Sequence, residues 1–115
     1  MHLKYIKEII KADVLAYEPG LELEINTAFG SDLMSDVLAY VEDDTLLITG
    51  LTNQQVIRTA EMLDLKAILF VRGKKPCNEM INLAEDKKIL LMSTRESLFT
   101  VSGILYNNGL RGISI

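Results

Sequence analysis

Three apolar runs, Leu46-Leu-Ile-Thr49, Ala67-Ile-Leu-Phe-Val71 and Ile89-Leu-Leu-Met92, each end at a glycine or hydroxyl turn and give way to a segment with helical spacing. Apolar residues at consecutive positions suit strands covered on both faces, and their alternation with helices predicts parallel βα units. After the first run come Val56, Ile57, Ala60 and Leu63, after the second Cys77, Met80, Ile81 and Ala84, and after the third Leu98, Val101, Ser102 and Leu105. Each set falls on one face of a helix, which Asn108-Gly109 closes in the last case. Right-handed crossovers are expected between the strands.

The flanks are less regular. Leu3, Ile6 and Ile10 share a helical face with Lys4, Lys7 and Lys11 outside it, so a short amphipathic helix opens the chain and ends near Ala12. Asp13 to Tyr17 reads as a short strand, Pro19-Gly20 as a type II turn, and the alternation Leu21-Glu-Leu-Glu-Ile25 as a half-exposed edge strand. Asn26 to Ser31 carries small residues around Phe29 and Gly30, and Met34, Val37, Leu38 and Val41 predict a helix capped by Ser31 or Asp32. Thr52-Asn-Gln-Gln55 and Ser93-Thr-Arg-Glu96 have capping-box spacing, and Pro76 suits a first helical position. Gly112-Ile-Ser-Ile115 reads as a fraying tail or as a strand added to a partner's edge. The chain is thus expected to be one domain over residues 1–115, an α/β three-layer Rossmann-like unit with a mainly parallel central sheet and helices on both faces.

Composition narrows the function. A net charge of −4 argues against nucleic acid, which a binder meets with a basic face, and equally against an anionic membrane. The single cysteine, Cys77, rules out an intramolecular disulfide, and the lysines break any signal-peptide core, so a cytoplasmic location is expected. Cys77 lies on an apolar stripe and is expected to be a small core residue. The only histidine is His2, which leaves a nucleophile without an activating base. Neither a Gly-x-x-x-x-Gly-Lys-Ser/Thr loop nor a strand-following Gly-x-Gly-x-x-Gly occurs. No enzyme activity, cofactor or metal is expected; Asp32 and Asp36, at helical i, i+4 spacing, read as a solvated face before a cation site.

Candidate binding chemistry lies at the strand ends, where helix amino termini favour anions. Gly50, Thr52 and Asn53 follow the first run, Arg72, Gly73, Lys74 and Lys75 the second, and Ser93, Thr94 and Arg95 the third. Hydroxyls, glycines and cations at such positions suit a phosphate or a nucleotide, although the same residues also read as caps, turns and solvated lysines.

The stretch Gly30-Ser-Asp-Leu-Met-Ser-Asp-Val-Leu-Ala39, with Leu47-Ile-Thr-Gly50, Val71-Arg-Gly-Lys-Lys-Pro76 and Leu91-Met-Ser-Thr94, resembles the DRTGG domain, and more faintly the amino-terminal domain of HPr kinase/phosphorylase. In larger proteins such domains accompany CBS domains in regulated pyrophosphatases. The resemblance implies a regulatory or association module, commonly dimeric. Leu51-Thr52-Asn53 stands where the family shows Asp-Arg, and Val71-Arg72-Gly73 where it shows Thr-Gly-Gly, so only the turn role of Gly73 carries over. Ser31, Asp32 and Asp36 match the family and join the strand-end residues as expected ligand-binding positions. The expected function is a non-catalytic, homodimeric sensor of a small anionic ligand or an associate of a partner enzyme; the alternative is a pure interaction module using Phe29, Met34 or Tyr40.

Overall fold

The computed structural model covers Met1–Ile115 and contains a six-stranded sheet with five helices. In chain order the elements are α1 (Leu3–Ile9), β1 (Asp13–Ala16), a 3-10 turn (Glu18–Glu22), β2 (Thr27–Gly30), α2 (Met34–Tyr40), β3 (Thr45–Thr49), α3 (Gln54–Met62), β4 (Ala67–Phe70), α4 (Asn78–Asp86), β5 (Leu90–Ser93), α5 (Leu98–Asn107) and β6 (Arg111–Gly112). The sheet order is β1-β5-β4-β3-β2-β6. Only β1 runs antiparallel, against β5; every other pairing is parallel.

The three apolar runs are the interior strands β3, β4 and β5, and their alternate residues feed two separate cores. Leu46, Ile48, Leu69, Val71, Leu90 and Met92 pack with Leu3, Ile6 and Ile10 of the α1 segment and with Val101 and Leu105 of α5. Leu47, Ile68, Phe70 and Leu91 pack on the opposite face with α2, α3 and α4 through Val37, Val56, Ile57, Ala60, Met80 and Ala84. The helices divide this way because crossovers of one hand put every helix on one face while strands are added in one direction. From β2 to β5 the chain moves steadily across the sheet; α5 then carries it back past β2 to β6, and so lies on the other face.

Helices α1, α3 and α4 end alike. Lys11, Asp64 and Lys88 take left-handed φ values of 53°, 55° and 58°, and the next residues, Ala12, Leu65 and Ile89, bond back to the carbonyls of Lys7, Ala60 and Ala84. This closes each helix with a Schellman-type turn and drops a buried apolar residue into the core, although a side chain occupies the position glycine prefers. Helix α5 uses glycine there, Gly109 at φ 106°, before buried Leu110.

The amino-terminal third departs from the pattern reading. Leu21 to Ile25 is not a strand of the sheet: Leu21 lies in a 3-10 turn over Glu18–Glu22 that contains Pro19-Gly20, and Leu23 to Ile25 pair antiparallel with the first three residues through a His2–Glu24 bridge, Leu3 N–H donating to the Leu23 carbonyl and Ile25 N–H to the Met1 carbonyl. Gly20 is required because a Cβ there would lie 2.8 Å from the Cβ of Leu90. The strand is instead Thr27–Gly30, whose alanine and glycine carry little propensity but whose backbone pairs with β3 and β6 on either side. Gly112, expected in a tail or on a partner's edge, pairs instead with Ala28 of the chain's own β2, and Ile113 to Ile115 form no strand.

Truncating Phe70, which is fully buried, is expected to cost about 3–5 kcal/mol, seen as a lower urea midpoint with unchanged slope. Lys88→Gly, by contrast, is expected to add about 0.5–1 kcal/mol, because it removes a Cβ from a left-handed helix end. An unchanged or lower midpoint for Lys88→Gly would contradict the Schellman assignment.

Candidate functional site

Loops leaving β2, β3 and β4 all turn to the face of α2, α3 and α4, whereas the loop leaving β5 turns to the face of α5. Adjacent β4 and β5 are therefore the place where connections diverge, and a crevice opens outside their carboxyl ends. It is a cleft of about 430 Å³ lined by Ile10, Lys11, Asp13, Gly73, Lys75, Ser93, Thr94, Arg95 and Glu96. Ile10, Lys11 and Asp13 arrive from the turn between α1 and β1, because β1 pairs antiparallel with β5 and sets Asp13 opposite Ser93.

Much of this cleft is already hydrogen-bonded to itself. The Ser93 hydroxyl donates to the Lys74 carbonyl at 2.8 Å, and the buried Thr94 hydroxyl donates to the Ile10 carbonyl at 2.8 Å while accepting from Glu96 N–H. Arg72 N–H donates to the Glu96 carbonyl and Gly73 N–H to the Thr94 carbonyl. Ser93, Thr94 and Gly73 thus build the walls, and their donors are spent. Free charge is left to Lys11, Lys75 and Arg95, all exposed, facing the carboxylates Asp13 and Glu96. Pattern reading named the segments holding Lys75 and Arg95 but had no signal for Lys11 or Asp13, which reach the cleft only through the β1–β5 pairing.

A second centre lies beside the cleft, across the ends of β2, β3 and β4. Asp32 Oδ1 accepts from Thr49 Oγ1 at 2.9 Å and from Gly50 N–H at 2.8 Å, while Oδ2 lies 3.9 Å from Nη2 of Arg72. The Gly50 amide above all, with the Thr49 hydroxyl and the Arg72 guanidinium, holds the Asp32 carboxyl below the usual carboxylate range against a smaller opposing effect of burial. Arg72 adopts φ 58° and Gly73 φ 68°, two successive left-handed residues where the resemblance implies glycines. The Arg72 side chain lies across Gly50, where a Cβ would sit 2.2 Å from Nη2. Glycine at 50 therefore lets Arg72 reach Asp32, and Arg72 stands outside the cleft lining.

The other expected positions are dispersed. Helix α2 begins at Met34 with Leu33 as its N-cap and no side-chain cap, so neither Ser31 nor Asp32 caps it. The Ser31 hydroxyl instead accepts from Leu33 N–H at 3.0 Å. Because Asp32 precedes the helix, it does not share a helical face with Asp36, which stands exposed in the first turn. Asn53, not Thr52, caps α3 by accepting from Gln55 N–H, and Ser97, not Ser93, caps α5 by accepting from Thr100 N–H. Cys77 is exposed at the N-cap of α4 rather than in the core, and Pro76 is buried just before it. Met34 is core, which removes it from any interaction surface.

Because Asp32 titrates lower in the folded than in the unfolded chain, its stabilisation is complete above the ordinary carboxylate range and disappears as pH falls through its lowered value. Both partners are about half exposed, at 48% and 50%, so Asp32→Asn is expected to cost under about 1 kcal/mol at neutral pH. The gap from wild type should close on acidification in urea titrations; a gap independent of pH would remove the charged pairing.

A search of curated proteins returns no match. Among solved structures, this fold is similar to the CBS and DRTGG domains of the regulatory region of Clostridium perfringens pyrophosphatase, crystallised with its activator diadenosine tetraphosphate. The TM-score is 0.78 at 16% identity, over 90% of this chain and 45% of that one, so the chain spans less than half the length of its neighbour. The family model for the DRTGG domain matches residues 5–107. With the match running from α1 through α5, the chain belongs to the DRTGG domain family.

Proposed function

We propose that this chain is a non-catalytic, cytoplasmic regulatory module, homodimeric, that binds a small anionic ligand of nucleotide or phosphate type and relays its presence to a partner enzyme. The observation that carries this reading is the cleft at the divergence of β4 and β5, where Lys11, Lys75 and Arg95 converge in a chain whose net charge is −4. Three cations outnumber the carboxylates Asp13 and Glu96 there, and flexible cationic side chains, unlike the committed hydroxyls, remain available to a ligand. A single apolar residue, Ile10, lines the cleft, which favours the phosphate portion of a ligand over a base. The neighbour's regulatory region was crystallised with a nucleotide activator, which supports a sensing role without locating the ligand in this chain.

A pure association module with no ligand is the second reading, favoured by Phe99 and Tyr106, which stand exposed on α5. No helix is long and apolar enough to cross a membrane.

Thermal unfolding of dialysed protein against phosphate, pyrophosphate, acyl phosphates, and adenine and guanine nucleotides tests the sensing role. A ligand at a hundred times its Kd adds about 2.7 kcal/mol, several degrees in Tm at this size. Lys75→Ala and Arg95→Ala, both exposed, are expected to lower affinity at least tenfold while changing stability by less than about 0.5 kcal/mol. A flat panel would leave the association reading in place.

A further inference from the structure

We infer that α5 is the surface through which two copies of this chain associate about a two-fold axis, with Phe99 of each copy entering the groove beside the partner's Tyr106. The inference rests on the homodimeric reading above and gives it a location. Residues Leu98 to Asn107 include no charged side chain, although the helix is at the surface of a chain that is 24% charged. One face of α5 is used internally, through Val101 and Leu105. The outer face carries Phe99, 89% exposed, and Tyr106, 61% exposed, seven residues apart and so on one stripe, with Ser102 and Gly103 between them.

Gly103 has no role inside one copy. It sits in mid-helix, where glycine is unfavourable, and a Cβ there would meet nothing within 4 Å. Its absence of a side chain leaves room for a second backbone. Beside it, Ala28, Ile48, Leu105 and Leu110 contribute to a largely apolar groove of about 210 Å³ between α5 and the β2–β6 edge. Tyr106 forms one wall and is held by Arg111, whose guanidinium lies 4.0 Å from the ring centroid and donates to the Tyr106 carbonyl.

These parts are self-complementary, as a two-fold contact requires. Antiparallel apposition of two α5 helices centred on Ser102 and Gly103 sets the protruding ring of Phe99 opposite the partner's Tyr106 and its groove, and does so twice. The same apposition brings Glu96, exposed just before α5, toward the partner's Arg111, so the charges flanking the apolar stripe are opposite in sign.

Sedimentation velocity from low micromolar to near-millimolar concentration reads the association. The wild type is expected to dimerise, and Phe99→Glu to weaken dimerisation at least a hundredfold while keeping the wild-type Tm at low concentration, since Phe99 makes little of the core. In a Cys77→Ser background, Gly103→Cys is expected to form a disulfide-linked dimer on mild oxidation, because a residue beside a two-fold axis meets its own copy. Arg58→Cys, exposed on α3 across the sheet, is the control and should not cross-link at the same rate. A wild-type dimer unchanged by Phe99→Glu would overturn the α5 interface and leave the homodimer reading standing. A wild type monomeric throughout the range would overturn both.

Discussion

Strands β3, β4 and β5 are apolar on both faces, and the need to cover both sides of them organises everything else in the molecule. Crossovers of one hand, used from β2 to β5, place α2, α3 and α4 together and leave Leu46, Ile48, Leu69, Leu90 and Met92 facing water on the opposite side. The chain covers that side from both directions, with α1 laid down before the sheet begins and α5 thrown back across it at the end. That reversal makes the loops after β4 and β5 part company, and the polar cleft is the gap between them. The burial of an apolar face and the existence of the polar cleft are one topological event.

Two kinds of polar structure share the carboxyl edge of the sheet and divide its labour. Asp32, Thr49, Gly50 and Arg72 tie three successive strand ends together and use their hydrogen-bonding capacity on one another. In the cleft, hydroxyls and backbone amides are likewise committed, but the side-chain cations are not. Exposed Lys11, Lys75 and Arg95 are the groups an anion placed there would meet, an arrangement that would keep the ordering cost to a few long side chains. Arg72, which stands where the resemblance implies a glycine, is on the structural side of this division.

The interior of the fold was legible because β3, β4 and β5 carry their burial in their composition, and α3, α4 and α5 theirs in 3.6-residue spacing. The edge was not. Thr27–Gly30 has no apolar alternation of its own and is a strand because its neighbours supply the hydrogen bonds, while Leu21 to Ile25 alternates but is split between the end of a 3-10 turn and a short antiparallel pairing with the first residues of the chain. Helix starts slipped by one to four residues where two hydroxyl or amide residues competed for one cap, as with Thr52 against Asn53 and Ser93 against Ser97. The site was half visible: strand ends point to a crevice, but Lys11 and Asp13 join it only through an antiparallel pairing between the two ends of the chain. Cys77 sat on an apolar stripe in sequence, yet the helix begins just after it and turns it outward.

The hydrogen bond from Thr94 to the Ile10 carbonyl joins residues 84 positions apart, and it closes the cleft wall against the turn that follows α1. Closing a loop of that length costs chain entropy that no local contact offsets. The cleft is therefore a property of the finished fold and of no shorter local unit. Occupancy by an anion would clamp the amino-terminal helix to the last parallel strand of the β2–β5 run, so the ligand would be felt as slower opening of α1 and as protection of Leu3, Ile6 and Ile10 from exchange and proteolysis.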